Sequence, residues 1–333
     1  LRAGQSVMMF EQHYVPGGWA HSFLREGYKF SPGVHFVGGL HEGGSGREVY
    51  EGMGVANDMV FFRQNMKGYD YNIVGDDHFR MPAGVENLRD ALSEKYPQSA
   101  KGIKKYLDFN QTVYNELFVA IADKTSIKDY LLLPWRTRHI GRTGWMKLDT
   151  ITKFFLKDPV VRTHLSLQCG NYGLPPFLAP WPVHCIVSNH CIHGTSYPRG
   201  SGSGIVKAFT KNIKKLGGEI RTSAGVNKIL LDEKSTTKKA IGVELDSGEK
   251  YFAKRVISNA DPNITYNKLL GPEHVTKKLI KKVNKTKYSA AALNLFLVVD
   301  MDLRKAGMDS GNVWYSEIPD LNTVYQKFTD IDI

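Results

Sequence analysis

The sequence predicts an α/β fold in which pieces of a Rossmann-like nucleotide-binding domain flank an inserted, mostly helical domain. Three observations predict it. An apolar run at 7–10 ends in an acidic residue followed by paired glycines, strand-like segments return between 219 and 257, and the region between them has helical periodicity. The 333 residues, 42% of them hydrophobic, are enough for about two domains.

The first motif joins Glu11 to Gly17 and Gly18. In a dinucleotide-binding βαβ unit the second strand ends in an acidic side chain that accepts the hydroxyl hydrogens of a ribose. Neighbouring glycines let backbone amides approach a pyrophosphate. Glu11 alone is also compatible with a surface acid after a buried strand, and its spacing from the glycines favours the nucleotide site. We expect the preceding strand and its G-x-G-x-x-G phosphate loop before Leu1, so this loop is expected to be missing from this chain.

The following residues alternate between strand and helix signals. Aromatic and apolar residues at 28–40 and 61–80 indicate strands and loops, with a turn at 75–77. A helix is expected through Leu88 and Leu92. Beyond Pro97, apolar residues recur at three- and four-residue spacing as far as Ile121, which predicts a long amphipathic helix. Residues 127–182, rich in Trp, Pro, Leu and Arg, indicate an irregular helical region.

In the second half, a helix at 205–216 is expected to end at Gly217 and Gly218. Strands are expected at 219–222, 226–231, 241–245 and 251–257, and a last one from Ala290 to Asp300. We therefore predict four segments. They are a first part of the nucleotide-binding domain at 1–84, a substrate- and membrane-facing domain at 85–195, a second nucleotide-binding part at 196–289, and a truncated return to the substrate domain at 290–333.

Charge and cysteine content narrow the possible partners. The net charge of +11 predicts attraction to polyanions. No nucleic-acid recognition module accompanies it, so we predict no nucleic-acid partner and keep an anionic lipid surface and an acidic protein as alternatives. Three cysteines are too few for a disulfide framework, which favours reduced thiols. No apolar run approaches the length of a membrane-spanning helix.

A set of motifs, in this order along the chain, resembles the FAD-dependent polyene oxidoreductases: retinol saturase, carotenoid cis–trans isomerase and phytoene desaturase. The resemblance looks closest to the retinol saturase branch. The motifs are Phe10-Glu11-Gln12-His13 with Pro16-Gly17-Gly18, Gly33-Val34-His35-Phe36-Val37-Gly38, Asn171-Tyr172-Gly173-Leu174-Pro175-Pro176, Asn189-His190, Tyr197-Pro198-Arg199-Gly200, Val226-Asn227-Lys228-Ile229 and Val256-Ile257-Ser258-Asn259-Ala260.

The resemblance implies FAD as cofactor and leaves NAD(P)H as a candidate electron donor. Glu11 would bind the adenosine ribose, and Gly17 and Gly18 would pass near the pyrophosphate. Val226 would meet the adenine edge through its backbone. The path toward the isoalloxazine would be lined by Gly33 and His35 from one segment and by Asn259 and Ala260 from another. A C-terminal segment that closes over the flavin in this family is expected beyond Ile333.

The function implied is that of an FAD-dependent oxidoreductase acting on a lipid-soluble conjugated polyene, a retinoid or a carotenoid, by saturation or by reduced-flavin cis–trans isomerisation. The expected location is a membrane of a plastid or of the endoplasmic reticulum. The alternative is a non-catalytic flavoprotein-fold subunit of a larger membrane-associated assembly. No obligatory acid or base stands out, and His35 and His190 are candidates because imidazole exchanges protons near neutral pH.

Several signals have two readings. The Gly200–Gly204 repeat indicates either a second phosphate loop or a tight turn that packs a helix, and Pro198 before it favours the turn. His184, Cys185, His190, Cys191 and His193 fit no standard zinc spacing, so no metal site is predicted. The aromatic and arginine-rich segment at 130–145 fits an interfacial anchor or a core-and-surface mixture. A lysine-rich helix face at 278–285 is either solvated or membrane-facing. An apolar tunnel is expected from the following side chains: Phe154, Phe155, Tyr172, Leu174, Phe177 and Trp181.

Overall fold

The computed structural model describes residues 1–121, 126–232 and 238–329. The chain forms two compact units, the first made of Leu1–Val34 with Gly200–Tyr288 and the second of His35–Arg199 with Ser289–Ile333. The predicted nucleotide-binding segment reached residue 84, whereas the structure assigns 35–84 to the second unit. The strands within 35–84 pair with strands of that unit, which is why the division falls earlier in the chain.

Strands and helices occur in runs along the chain rather than in strict alternation. The strands are β1 Met8–Phe10, β2 Phe23–Arg25, β3 Tyr28–Phe30, β4 Phe61–Arg63, β5 Asp70–Val74, β6 Asp77–Met81, β7 Ser196–Pro198, β8 Glu219–Arg221, β9 Val226–Leu231, β10 Ala240–Leu245, β11 Lys250–Phe252 and β12 Asn312–Ser316. The helices are α1 Ser45–Gly52, α2 Val85–Lys95, α3 Ala100–Ile121, α4 Ile127–Arg136, α5 Arg138–Thr143, α6 Leu148–Phe155, α7 Pro159–His164, α8 Trp181–Ile192, α9 Gly202–Lys215, α10 Lys277–Asn284 and α11 Leu321–Thr329.

A parallel strand pair is the centre of the first unit. β1 lies parallel to β8, with Met8 opposite Glu219 and Phe10 opposite Arg221. The two strands are joined through non-local chain rather than a hairpin, as parallel pairing requires. β9, β10 and β11 form a separate antiparallel sheet, and β2 and β3 form a hairpin.

The helix α9 connects to β8 through a predicted glycine stop. Gly217 has a φ of +76°, a left-handed conformation that costs glycine nothing. The N–H of Gly218 then donates to the carbonyl of Ile213 at 2.9 Å, which satisfies a carbonyl of the last helical turn. The predicted C-terminal cap of this helix is confirmed.

The second unit packs helices around α3 and beside a three-stranded sheet. β5 lies between β12, which is parallel to it, and β6, which is antiparallel. The buried side of α3 contributes Ile103, Tyr106 and Val113 to the core, so the predicted amphipathic helix is confirmed. Trp181 at the start of α8 is fully buried, and its ring stacks on Phe109 with centroids 6.0 Å apart.

Several elements differ from the sequence-based prediction, and the strand expected at 251–257 extends only over β11, Lys250–Phe252. The strand expected from Ala290 to Asp300 is wrong, because residues 289–299 form no strand in the described part of the chain. Ala290 donates its N–H to Gly173, but no continuous ladder follows, and Leu293 is 98% exposed. Conversely β12 was not predicted. It is a strand because its parallel register with β5, Asn312 opposite Asp70, supplies hydrogen-bond partners far away in sequence.

Candidate functional site

Glu11 is fixed at the end of β1 by backbone pairing. Its N–H donates to the carbonyl of Arg221, and its own carbonyl accepts from the N–H of Ala224, each at 2.9 Å. Its carboxylate Oε1 accepts the N–H of His13 at 2.9 Å. Within the described residues Oε2 has no hydrogen-bond partner. The carboxylate is therefore oriented and still has an oxygen that can accept a ligand hydroxyl.

Gly17 and Gly18 serve different purposes in the turn after Glu11. Both have positive φ, +113° and +52°. A Cβ at Gly17 would overlap the side chain of Val206 on α9, whereas a Cβ at Gly18 would meet nothing within 4 Å. Gly17 therefore lets the turn pack on α9. Gly18 leaves the outer side of the turn open, as an approaching pyrophosphate requires.

Two further glycines close this turn. A Cβ at Gly33 would lie 2.6 Å from the carbonyl oxygen of Trp19, and one at Gly202 would overlap that of Ala20. We call Gly17, Gly18, Gly33 and Gly202 the glycine cluster. The N–H of Ser203 donates to the hydroxyl of Ser22 at 3.2 Å. These contacts favour the interpretation of the Gly200–Gly204 repeat as a packing turn rather than a second phosphate loop.

Two histidines link Glu11 to the glycine cluster, a role that the sequence did not indicate. His13 donates its backbone N–H to Glu11, and its ring lies 5.2 Å from the ring of His21. His21 Nδ1 donates to the carbonyl oxygen of Gly18 at 2.5 Å. The density of histidines near the start of the chain was the available signal, but their mutual contact depends on how the turn folds.

The other predicted cofactor residues are less closely connected. Val226 begins β9 two residues after Ala224, the hydrogen-bond partner of Glu11. Asn259 and Ala260 are exposed, and no hydrogen bond in the described part of the chain joins them to Glu11 or Gly18. His35 is exposed and opens the second compact unit. The roles of these four residues toward the flavin stay predictions.

His190, the second catalytic candidate, makes a structural hydrogen bond with a glycine loop. Its Nε2 accepts the backbone N–H of Gly38 at 2.9 Å, so the ring proton of the neutral form is on Nδ1. Burial lowers the pKa of His190, which favours that neutral form. A Cβ at Gly38 would overlap the backbone of His190. The histidine therefore holds the Gly38–Gly39 loop against α8, and a proton-transfer role stays a prediction.

The predicted apolar tunnel does not form from the residues proposed for it. Trp181 is in the core of the second unit, and Phe155, Tyr172 and Leu174 pack against that core. Phe154 is 80% exposed. These apolar side chains fill the packed core around α3. A sequence pattern cannot distinguish such core residues from the lining of a channel.

A cavity of about 580 Å³ instead lies in the second unit, beside β4 and β7. Its lining combines apolar and aromatic side chains with charged and polar ones, and the ring centroids of His41 and His193 lie 4.3 Å apart. The apolar and aromatic group is Leu40, Tyr50, Phe61 and Met66, and the charged and polar group is Arg47, Glu51, Asn57 and Arg63. Burial and the neighbouring His41 lower the pKa of His193. The cavity could hold an apolar ligand with a polar end. The sequence assigned no role to His193, and the structure places it in the lining of this cavity.

Comparisons with known proteins confirm the resemblance seen in the sequence. The family model described as "Flavin containing amine oxidoreductase" matches residues 1–318. The chain is 26% identical over 325 residues to the "All-trans-retinol 13,14-reductase" of Danio rerio, covering 93% of this chain and 53% of that protein. It is 23% identical over 295 residues to the chloroplastic "Prolycopene isomerase" of Daucus carota, covering 83% of this chain and 45% of that protein. The chain thus spans about half the length of these curated relatives.

The fold comparison agrees with the sequence comparison. A solved oxidoreductase from Methanosarcina mazei superposes with a TM-score of 0.55 at 20% identity, covering 85% of this chain and 60% of that chain. This similarity concerns the fold. It confirms the predicted α/β class, a Rossmann-like FAD-binding domain with a helical insert.

Proposed function

The chain belongs to the flavin containing amine oxidoreductase family, and from this premise we propose that it is the FAD-binding part of an oxidoreductase or isomerase acting on a conjugated polyene lipid. The relatives named for all-trans-retinol reduction and prolycopene isomerisation support a retinoid or a carotenoid as the substrate class. One structural observation carries the cofactor assignment. Glu11 is oriented at the end of a parallel strand, Oε2 has no hydrogen-bond partner among the described residues, and the His13–His21 ring contact connects it to the turn at Gly18.

The residues of the first unit fit the adenosine diphosphate part of FAD. Glu11 would accept ribose hydroxyl hydrogens, and the open backbone at Gly18 would receive the pyrophosphate. Val226 would meet the adenine edge with its backbone. When bound, FAD supplies hydride transfer at N5 of the isoalloxazine. Saturation consumes two electrons per turnover and so needs a donor such as NAD(P)H, whereas isomerisation has no net electron demand.

In the second unit, we propose that the cavity beside β4 and β7 receives part of the polyene. Its aromatic and apolar side chains would contact the chain of the substrate. His193 would hydrogen-bond a polar end group, and His41 would do so through Nε2, because its Nδ1 already donates to the carbonyl oxygen of Glu42 at 2.9 Å. His35 and His190 remain candidates for proton transfer.

Such substrates dissolve in lipid, so we propose that the protein is membrane-associated, in a plastid or in the endoplasmic reticulum. Among the residues described, none of the helices has the length and hydropathy needed to cross a bilayer. We propose an interfacial association through the surface of these residues. The alternative is that the positive charge of the protein binds an acidic protein partner instead of a lipid surface.

The decisive experiment is to purify the full-length protein and record its absorbance. Bound FAD gives bands near about 375 and 450 nm. The reduced protein is then incubated with all-trans-retinol and, separately, with a cis-carotenoid, and the products are separated by chromatography. Flavin bands with a saturated or isomerised product support the proposal. Absence of the bands after reconstitution with FAD would favour the non-catalytic subunit instead.

A further inference from the structure

A group of large apolar side chains is exposed on consecutive helical elements of the second unit. Leu131 is 75% exposed, Trp145 76% and Phe154 80%. We call the following six residues the apolar patch: Ile127, Tyr130, Leu131, Trp135, Trp145 and Phe154. On α4, Ile127, Leu131 and Trp135 follow one another at four-residue spacing and so lie on one exposed face of the helix, and an exposed apolar face of this kind marks an interaction surface.

The helix that carries most of the patch forms without burying a residue. α4 contains no buried side chain. Its start is held by a capping box, in which Ser126 Oγ accepts the N–H of Asp129 at 3.3 Å and Asp129 Oδ2 accepts the N–H of Ser126 at 3.2 Å. Local hydrogen bonds thus stabilise the start of the helix, and its exposed apolar residues remain available to contact another surface.

The charge around the patch is positive. Residues 126–155 contain six lysines and arginines and two acids, Asp129 and Asp149. Both acids are paired within the segment, with Arg136 at 3.3 Å and Lys153 at 2.8 Å. In the described part of the chain the remaining cations form no ion pair: Lys128, Arg138, Arg142 and Lys147.

Aromatic and cationic groups are also in direct contact. The guanidinium of Arg138 lies over the ring of Trp135, 5.7 Å from its centroid. Tryptophan and tyrosine prefer the boundary between lipid headgroups and acyl chains, and arginine near them pairs with headgroup phosphates. An acidic protein would match the charge but would leave the aromatic preference unexplained.

We propose that the apolar patch and its unpaired cations dock the protein on the surface of an anionic lipid bilayer. The inference rests on the proposed function in one respect, since a polyene substrate is stored in lipid. The docking itself needs neither flavin nor turnover. The apolar side chains enter the acyl boundary, and Arg138 and Arg142 stay at the level of the phosphates.

The test uses the full-length protein and vesicles of phosphatidylcholine, with or without phosphatidylserine, in a co-sedimentation assay. One variant combines Leu131→Gln with Trp135→Gln, and a second combines Arg138→Gln with Arg142→Gln. The control combines Leu24→Gln with Phe252→Gln, which are comparably exposed, at 72% and 70%, in the other unit. Flavin absorbance and thermal denaturation are recorded for each variant, so a failure of docking is separated from a failure of the fold or of the proposed function.

We expect the wild type and the control to bind vesicles containing phosphatidylserine. The first variant should lose this binding. The second should lose binding to phosphatidylserine vesicles by about 25-fold, since each of the two cations contributes about fivefold near an anionic surface. Added salt should produce a similar loss. In a second measurement, brominated lipid should quench tryptophan emission in the wild type and quench it less after Trp135→Phe with Trp145→Phe.

The proposal would be overturned if the first and second variants bound vesicles as strongly as the wild type. It would also be overturned if the wild type did not bind anionic vesicles. A first variant that loses self-association while keeping vesicle binding would also overturn it and assign the patch to a second copy of the chain.

Discussion

The imidazole of His190 accepts the backbone N–H of Gly38, while the carbonyl of His190 accepts the N–H of Gly39. Two consecutive backbone donors of a glycine loop are therefore satisfied by one residue of α8. Gly38 is buried, so water cannot replace the imidazole.

Replacing His190 by alanine should lower the free energy of unfolding by about 1–3 kcal/mol, because the Gly38 N–H would be left buried without an acceptor. His190→Gln, whose side-chain oxygen can accept the same hydrogen bond, should recover part of the loss. Denaturant unfolding of both variants measures this. If His190 also transfers a proton, the pH profile of kcat changes in both variants. If the His190→Gln variant is stable and the pH profile of kcat is unchanged, His190 only positions the Gly38–Gly39 loop.

Glu11→Ala should weaken FAD binding by about 10-fold to 100-fold, since a hydrogen bond to a charged group contributes about 1.5–3 kcal/mol. Fluorescence titration of the apoprotein with FAD gives the affinity. Glu94→Ala is the matched control, because Glu94 is an exposed acid on α2. Wild-type affinity in the Glu11 variant would contradict the ribose assignment.

Gly17→Ala should be more damaging than Gly18→Ala. Alanine at 17 would overlap Val206 in addition to its strained φ, whereas alanine at 18 pays only for the left-handed backbone, about 1 kcal/mol. Combining Gly17→Ala with Val206→Ala should recover part of the thermal stability because it removes the overlap. Equal destabilisation by the two single substitutions would show that packing against α9 does not require Gly17.

Acid should destabilise the second unit through Asp77 and His164. Burial opposes ionisation of Asp77, but hydrogen bonds from Lys95, Tyr96 and His164 outweigh it and lower its pKa to about 2. Its contribution is present above the unfolded pKa of about 4 and is lost as pH falls toward about 2, an effect of about 2 kcal/mol.

Burial, only partly offset by Asp77, also lowers the pKa of His164. Below the unfolded histidine pKa of about 6.5 the unfolded chain therefore binds the extra proton, and stability falls further. Denaturant unfolding between pH 7 and 2 should show both losses. Asp77→Asn should remove the lower-pH loss, whereas Asp76→Asn, an exposed neighbour, should not. A wild-type profile in the Asp77 variant would refute the assignment.

Filling the cavity of the second unit should impair substrate binding without affecting the flavin. Ala56 lines this cavity, and Ala56→Phe would occupy part of its volume. We expect a KM raised by about tenfold, equivalent to about 1.4 kcal/mol, with unchanged flavin absorbance. Steady-state kinetics on the polyene substrate tests this. A KM equal to that of the wild type would place the substrate elsewhere.

Local sequence patterns were sufficient for much of the fold. The spacing of Ile103, Tyr106 and Val113 determines which face of α3 is buried, and Gly217 determines where α9 ends. The position of Glu11 after an apolar strand is the basis for predicting that its carboxylate binds the cofactor. Each of these depends on residues within a few positions of one another, so helix and strand periodicity and turn chemistry decide them.

The tertiary structure decided which distant segments meet. Three contacts join residues more than a hundred positions apart. They are the close packing of Gly17 against Val206, the pairing of β12 with β5, and the hydrogen bond between His190 and Gly38. Tertiary packing also decided that Trp181 belongs to a packed core rather than a tunnel, since its ring lies against Tyr106 and Phe109 of α3. An apolar side chain carries the same signal in a core, a channel or an exposed patch. Only the neighbours that the folded chain brings to it determine which one it forms.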